Sequence, residues 1–289
     1  MRLVLAGLIG NAYIRKRKKV NYSSDKKMTV FFYDKTFDGL LTAIFDAYTR
    51  KSFPDKLLSE DDIAPLFATE IHTVHTQTDK ANRVWTALQK KISKFACNMI
   101  TYAWLSELPE SDELLFRYIC KNFDSKQSIE MNFADADVLE LKQLAQKVSQ
   151  EKMRIIQFVR FQKTADDIYF APIEPMYNVL PFTIHYFKDR FADQRWIVYD
   201  MKRNYGFHYN LHEAVEITLS SMENFADGRL KDELMAENEK LFQDLWKNYF
   251  KSITIKERIN PKLHRQHMPQ RYWKYLTEKQ PLHQKSGKK

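Results

Sequence analysis

The chain has 289 residues, of which 44% are hydrophobic, so it is long and apolar enough to form a packed core. Six glycines and nine prolines are too few for a fibrous or low-complexity protein. No continuous apolar run reaches the length of a membrane-spanning helix, about 18 residues. Cys97 and Cys120 lie within apolar helical patterns, which predicts buried thiols in a reducing, cytoplasmic compartment.

Charge is distributed unevenly along the chain. Residues 1–27 carry a net charge of +7 and residues 251–289 a net charge of +9. Because the whole chain carries +9, residues 28–250 form an acidic body with a net charge of −7. The sequence therefore predicts an acidic body with two basic ends.

Residues 1–27 differ from the rest of the chain. Their apolar run precedes their basic cluster, whereas a secretory signal has the opposite order. Met28 directly precedes a clear strand pattern, TVFFYD. We interpret Met28 as the natural start and residues 1–27 as a non-native leader. The alternatives are a disordered basic arm that contacts nucleic acid or a membrane surface, and a targeting segment.

Residues 28–278 predict a single α+β domain whose first half, 28–152, is mostly helical. Strand patterns occur at 29–33 and 71–76. Four helical patterns follow in this half. The first begins near Gly39, the next two cover 80–106 and 112–122, and the last is capped by Asp135 or Asp137. His72 and His75 would lie on opposite faces of a strand, which argues against a shared metal ion.

The second half, 153–278, predicts a small antiparallel sheet with a helix on one face. Ile155–Phe161 and Ile168–Ile173 fit a hairpin, and a helix is expected from Asn178. Its buried residues would be Leu180, Ile184, Phe187 and Phe191. Further strands are expected at Trp196–Tyr199, Tyr205–Asn210 and Val215–Leu219. A strand pair, a helix and a second strand pair give α+β architecture.

A long helix from about Asp232 to Phe250 follows, with Leu234, Leu241, Leu245 and Trp246 on its predicted core face. Ile253 and Ile255 indicate a short strand. Beyond them the chain is basic, and residues 279–289 read as a disordered polar tail.

Several classes of enzyme leave sequence signatures that this chain lacks. It has no glycine-rich phosphate loop, no dinucleotide fingerprint, no closely spaced cysteines and no Gly-x-Ser-x-Gly elbow. We therefore predict no cofactor and no metal. The best catalytic candidate is His185, four residues before Asp189 on a helix, where the carboxylate can orient the imidazole, with Asp200 nearby in sequence. The alternative is a surface histidine satisfied by its neighbour.

The basic residues favour contact with nucleic acid. Cations neutralise phosphates, and aromatic rings stack on exposed bases. The candidates of this kind are Arg190, Arg203, Arg258, Lys262, Arg265, Arg271, Tyr272 and Trp273. A second interpretation stays open, in which the aromatic residues of this segment dock on the acidic body and its lysines face solvent.

Three stretches also resemble a bacterial family of DNA metabolism proteins of unknown function: FVRF (158–161), the run 168–207 from IYFAPIEP to MKRNYGF, and the closing 245–278, LWKNYFKSITIKERINPKLHRQHMPQRYWKYLTE. Residues 36–48 and 80–88 are similar to it as well. The resemblance implies a partnership with a radical-SAM protein of DNA repair or modification. Some members are fused to a uracil-DNA glycosylase domain. This chain carries neither that domain nor a radical-SAM cysteine triplet.

Three functions follow as hypotheses. The first is an accessory protein that binds DNA and the radical-SAM partner. The second is a DNA-processing enzyme that uses His185 as acid or base. The third is a structural module that contacts proteins without touching DNA.

Overall fold

The computed structural model describes residues 28–219, 225–226 and 229–280. The proposed leader 1–27 and the tail residues 281–289 lie outside the described residues. Within them, the α-helices are α1 (Phe37–Arg50), α2 (Thr78–Lys91), α3 (Lys94–Trp104), α4 (Ser111–Asp124), α5 (Ala136–Phe158), α6 (Ile184–Arg190), α7 (Glu239–Ile253) and α8 (Pro261–His267). The strands are β1 (Met28–Tyr33), β2 (Lys56–Ser59), β3 (Ala68–Thr73), β4 (Gln162–Lys163), β5 (Tyr169–Ile173), β6 (Trp196–Asp200), β7 (Tyr205–Tyr209), β8 (Ala214–Ile217), β9 (Phe225–Ala226) and β10 (Arg229–Leu230). The predicted α+β class is confirmed.

The N-terminal half contains a three-stranded parallel sheet in the order β2-β1-β3. Residues Thr29–Tyr33 of the central strand β1 are all buried, as is typical of a parallel strand covered on both faces. The predicted helix 80–106 is two helices, because Ile92 is extended and the Ser93 side chain caps α3 by accepting a hydrogen bond from the Ala96 amide. α1 packs on β1 and α4 on β2, and helices α1 to α5 together supply most of the core.

The second sheet has five strands in the order β4-β5-β6-β7-β8. The prediction of a wholly antiparallel sheet is wrong, because β5 and β6 are parallel. A 3-10 turn at Leu180–Phe182 and helix α6 form the connection between them, and this connection returns the chain to the same end of the sheet. The strands expected at Trp196–Tyr199, Tyr205–Asn210 and Val215–Leu219 correspond to β6, β7 and β8.

The hairpin predicted for Ile155–Phe161 is also wrong. α5 continues to Phe158, and Ile155 is buried as part of its helical stripe, so the expected antiparallel pair is reduced to the two residues of β4 on β5. The helix expected at Asn178 begins later, at Ile184. Two of its four predicted buried residues, Leu180 and Phe187, are fully buried, whereas Ile184 and Phe191 are only partly buried.

The C-terminal part departs most from expectation. α7 begins at Glu239 instead of Asp232 and continues through Ile253, which leaves no strand at Ile253 and Ile255. α8 and two 3-10 turns, Gln270–Tyr275 and Thr277–Lys279, complete the described chain. None of the helices in the described ranges combines the length and apolarity needed to cross a membrane.

Candidate nucleic-acid interface

Residues Gln270–Glu278, which we name the docked segment, lie against the body of the protein. Tyr272, Tyr275 and Leu276 are 3%, 7% and 0% exposed. The ring of Tyr272 packs 5.5 Å from that of Phe158 at the end of α5. Burial raises the pKa of Tyr272, and the neighbouring Glu151 acts in the same direction. The docking interpretation therefore holds for this segment, and the buried ring of Tyr272 offers no face to a base.

The cations of the docked segment are held by carboxylates of the body. Arg271 Nη2 lies 2.5 Å from Oε2 of Glu151, a carboxylate that is 1% exposed. The other oxygen of Glu151 accepts a hydrogen bond of 2.8 Å from the Met176 amide. Lys274 pairs with Glu174, which also accepts a hydrogen bond of 2.8 Å from the Tyr275 hydroxyl.

The segment ends in a third such pair. Glu278, whose side chain is 1% exposed, lies 2.6 Å from Arg160 Nη2 and 3.0 Å from the indole nitrogen of Trp246. Burial alone would raise the pKa of Glu278, but the Arg160 guanidinium and Trp246 hold it below its usual value. The Lys274 ammonium likewise lowers the pKa of Glu174. These pairs make the docked segment part of the folded body.

Asp200 and Arg203 form a brace at the turn between β6 and β7. Asp200 is fully buried and accepts hydrogen bonds from the Lys202 and Arg203 amides at 2.9 and 3.2 Å. Arg203 Nη1 lies 2.9 Å from Asp200, and Arg203 Nε donates to Glu107 at 2.7 Å. Burial raises the pKa of Asp200, although Arg203 opposes the shift. Both side chains are thus occupied in holding the turn.

His185, Asp189 and Arg190 lie on the exposed side of α6. His185 Nε2 is 3.2 Å from Asp189 Oδ2, but the two side chains are 89% and 64% exposed. Arg190 is exposed as well and contacts the ring of Phe191. Within the described ranges no hydrogen bond or ion pair joins this pair to Asp200 or Arg203. The structure therefore brings His185 and Asp189 together but does not bring Asp200 to them.

Metal ligands are not clustered in the parts of the chain that the structure describes. No group of three or more His, Cys, Asp or Glu side chains there has the geometry to hold an ion.

Five exposed cations form a different kind of surface, which we name the cationic surface; they lie at the end of α7, on the 3-10 turn Lys256–Arg258 and along α8. Its members are Lys251, Lys256, Arg258, Lys262 and Arg265. Among the described residues, none of the five has an ion pair with a carboxylate. Asn260 positions α8 by accepting a hydrogen bond of 3.0 Å from the Leu263 amide.

A groove of about 570 Å³ runs beside the cationic surface and is lined by Arg258, Ile259, Leu263 and His264, among others. Partial burial and the nearby cations of Lys279 and Arg265 lower the pKa of His264. Burial is the larger cause of that shift, and the two cations add to it. Trp273 contacts two residues that line the groove: its ring centroid is 5.5 Å from that of His264 and 5.2 Å from the Lys279 ammonium.

The sequence did not point to Lys251, Lys256 or Lys279. Lys279 was placed in a disordered tail, yet its ammonium lies 5.2 Å from the Trp273 ring and 5.4 Å from the Phe250 ring. The contact between Lys279 and these two rings is made by the tertiary fold, and no spacing in the sequence predicts it. Lys251 and Lys256 belong to the same basic run as Arg258, and that run was the available signal.

Fold and site together define an α+β protein whose C-terminal part exposes a basic surface beside a groove. The chain belongs to the family known as the domain of unknown function DUF4130, which matches residues 109–278. No curated protein matches the chain. A solved structure, the pGpG-specific phosphodiesterase PggH from Vibrio cholerae, is similar at 11% identity and a TM-score of 0.29, covering 79% of this chain and 100% of that one. Likeness at that level supports no conclusion about fold or function.

Proposed function

We propose that the protein binds nucleic acid through the cationic surface and serves as an accessory protein in DNA metabolism. The observation that carries the proposal is that five exposed cations are grouped within residues 251–265 and have no carboxylate partner among the described residues. Arg160, Arg203, Arg271 and Lys274 each meet a carboxylate, whereas the described chain offers none to the cationic surface. A cation with no protein partner can neutralise a phosphate and release its counterions, which is the main source of affinity for nucleic acid.

The arrangement of the cations supports contact with a backbone rather than with particular bases. Lys262 and Arg265 are three residues apart on α8 and so lie on one side of that helix. Arg258 precedes them on a 3-10 turn, and Lys251 is in the last turn of α7. Cations spread over three short elements fit successive phosphates. We therefore expect binding with little preference for sequence.

Aromatic stacking has a smaller part in the proposal than the sequence implied. Tyr272 is buried, and Trp273 is partly covered by His264 and Lys279. Phosphate contacts should therefore dominate, with a steep dependence on salt.

The resemblance to DNA metabolism proteins supports one addition to the proposal, and the contact of His185 with Asp189 supports an alternative to it. The partner is a radical-SAM protein of DNA repair or modification, which would carry out the chemistry. The alternative is a DNA-processing activity of this chain, with His185 as acid or base, since its hydrogen-bonding distance to Asp189 is suitable for orienting the imidazole.

The test is a fluorescence-anisotropy titration of labelled single- and double-stranded DNA at several salt concentrations. The variant Arg258→Ala/Lys262→Ala/Arg265→Ala removes three cations of the surface. If all three contact phosphates, the slope of log affinity against log salt should become shallower by about 2 to 3.

The matched control is Lys90→Ala/Lys94→Ala/Lys147→Ala, which removes three exposed lysines from α2, α3 and α5. It should leave both affinity and salt slope nearly unchanged. A wild-type chain that binds neither DNA at low salt, or a control variant that loses as much affinity as the test variant, contradicts the proposal.

A further inference from the structure

The groove of about 570 Å³ beside the cationic surface adjoins a second groove of about 390 Å³. Phe250, Thr254 and Ile259 line both of them, so we name the two grooves together the trough. Pockets that hold small molecules have volumes of about 300–1,000 Å³, and both grooves fall within that range. Each groove therefore has room for a group of the size of a nucleobase.

Aliphatic side chains of the trough are open to solvent. Ile255, Ile259 and Leu263 are 51%, 59% and 48% exposed, and all three line the larger groove. A ligand that covers them removes apolar surface from water, which is favourable. The trough is thus suited to a ligand that has apolar faces.

The charges that line the trough are mainly positive. The lining cations without a carboxylate partner among the described residues are Lys251, Lys256, Arg258 and Lys279. Lys247 lines the trough as well and pairs with Asp244. Within the described ranges the only lining carboxylate is that of Glu278, which Arg160 holds at 2.6 Å. The ligand that fits this surface therefore carries negative charge in addition to its apolar faces.

We propose that the trough binds a single strand of DNA, with unpaired bases against Ile255, Ile259 and Leu263 and with phosphates beside the lining cations. This inference rests on the proposed function and adds the type of strand to it. Bases inside a duplex are stacked on one another, so a duplex offers phosphates to the trough but few base faces. An unpaired strand offers both, and every base has such a face.

The cations and the aliphatic side chains favour different forms of DNA. Cations alone favour a duplex, because its charge density is higher than that of a single strand. A preference for the single strand therefore requires contact with the bases, and the aliphatic side chains of the trough supply that contact. The preference separates a trough that receives bases from a surface that meets only phosphates.

The test is fluorescence anisotropy with three labelled probes of equal length: an oligothymidylate strand, a strand built from abasic sites, and a duplex. The wild-type chain should bind the oligothymidylate about tenfold more tightly than the abasic strand, since the two differ in their bases and not in their phosphates. It should also bind the oligothymidylate more tightly than the duplex.

The variant Ile259→Ser/Leu263→Ser removes two aliphatic side chains of the trough and no charge. It should reduce the affinity for oligothymidylate at least threefold and leave the affinity for the abasic strand and the salt slope unchanged. The matched control is Ile63→Ser/Leu66→Ser, at side chains that are 92% and 96% exposed between β2 and β3. It should bind every probe as the wild-type chain does. Circular dichroism checks that both variants fold.

Equal affinity of the wild-type chain for the strands with and without bases overturns the inference, while salt-dependent binding of both would leave the proposed function standing. Equal losses in the trough variant and its control also overturn the inference. A wild-type chain that binds none of the three probes at low salt overturns the proposed function and the inference together.

Discussion

The docked segment and the cationic surface are close in sequence and similar in composition, since both place basic residues among aromatic or aliphatic ones. Arg271 and Lys274 of the docked segment each meet a carboxylate of the body. Arg258, Lys262 and Arg265 of the cationic surface meet none within the described chain. Composition alone therefore does not distinguish a basic segment that packs on the body from one that stays exposed. The two regions differ in whether a carboxylate of the fold lies within ion-pairing distance of their cations.

The largest effect should follow from removing the carboxylate that anchors the docked segment. Glu151→Gln leaves Arg271 without its buried partner and alters the acceptor of the Met176 amide. We expect the free energy of unfolding to fall by about 2 kcal/mol, measured by urea denaturation, because the Arg271 side chain left unpaired is 34% exposed. Glu140→Gln, at an exposed position of the same helix, is the control and should change it by less than about 0.5 kcal/mol. Equal effects of the two variants would contradict the role of Glu151 as the anchor of the docked segment.

Acid should release the docked segment. The pKa values of Glu174 and Glu278 are lowered in the folded protein, so their contribution to stability is complete above the ordinary glutamate pKa of about 4.3. It is lost as the pH falls through the lowered values. Tryptophan fluorescence should report the change, because Trp246 donates to Glu278. Glu278→Gln should remove the part of the transition that this carboxylate causes. An unaltered transition in that variant would contradict the assignment.

The smallest effect should come from the exposed pair on α6. His185→Ala removes a partner of Asp189, but both side chains lie mostly in solvent, so the stability change should stay below about 0.5 kcal/mol. DNA affinity should not change, which anisotropy measures. A loss of several kcal/mol would assign His185 to packing. Loss of DNA repair in cells with stability intact would instead favour the enzymatic alternative.

The sequence predicted secondary structure correctly where the hydrophobic pattern and the intrinsic strand or helix propensity indicate the same element. The strands β1 and β6 to β8 followed from runs of β-branched and aromatic residues in the sequence, and the buried Leu180 and Phe187 followed from the apolar pattern after Asn178. The parallel pairing of β5 and β6 could not be predicted, since it depends on where the connection through α6 returns the chain. The end of α5 was missed because Ile155–Phe158 fits either a strand or a buried turn of helix.

The candidate site was predicted less well than the fold. The predicted core face of the long helix is wrong, since Leu234, Leu241, Leu245 and Trp246 are all exposed. Gln243 and Lys247 of α7 face the body instead. That choice is set by tertiary contacts such as the one between Trp246 and Glu278. The same limit applies to the cations, because the sequence contains Arg258 and Arg271 alike and does not show which one has a carboxylate beside it.

The most direct test of this account compares two double variants in the same pair of measurements, DNA affinity and the free energy of unfolding. Arg258→Gln/Arg265→Gln changes the cationic surface, and Arg160→Gln/Arg271→Gln changes the contacts of the docked segment. We predict that the first variant loses DNA affinity and keeps its stability, whereas the second loses stability and, while folded, keeps its affinity. The account is contradicted if both variants lose affinity to the same extent, or if the first is destabilised as much as the second.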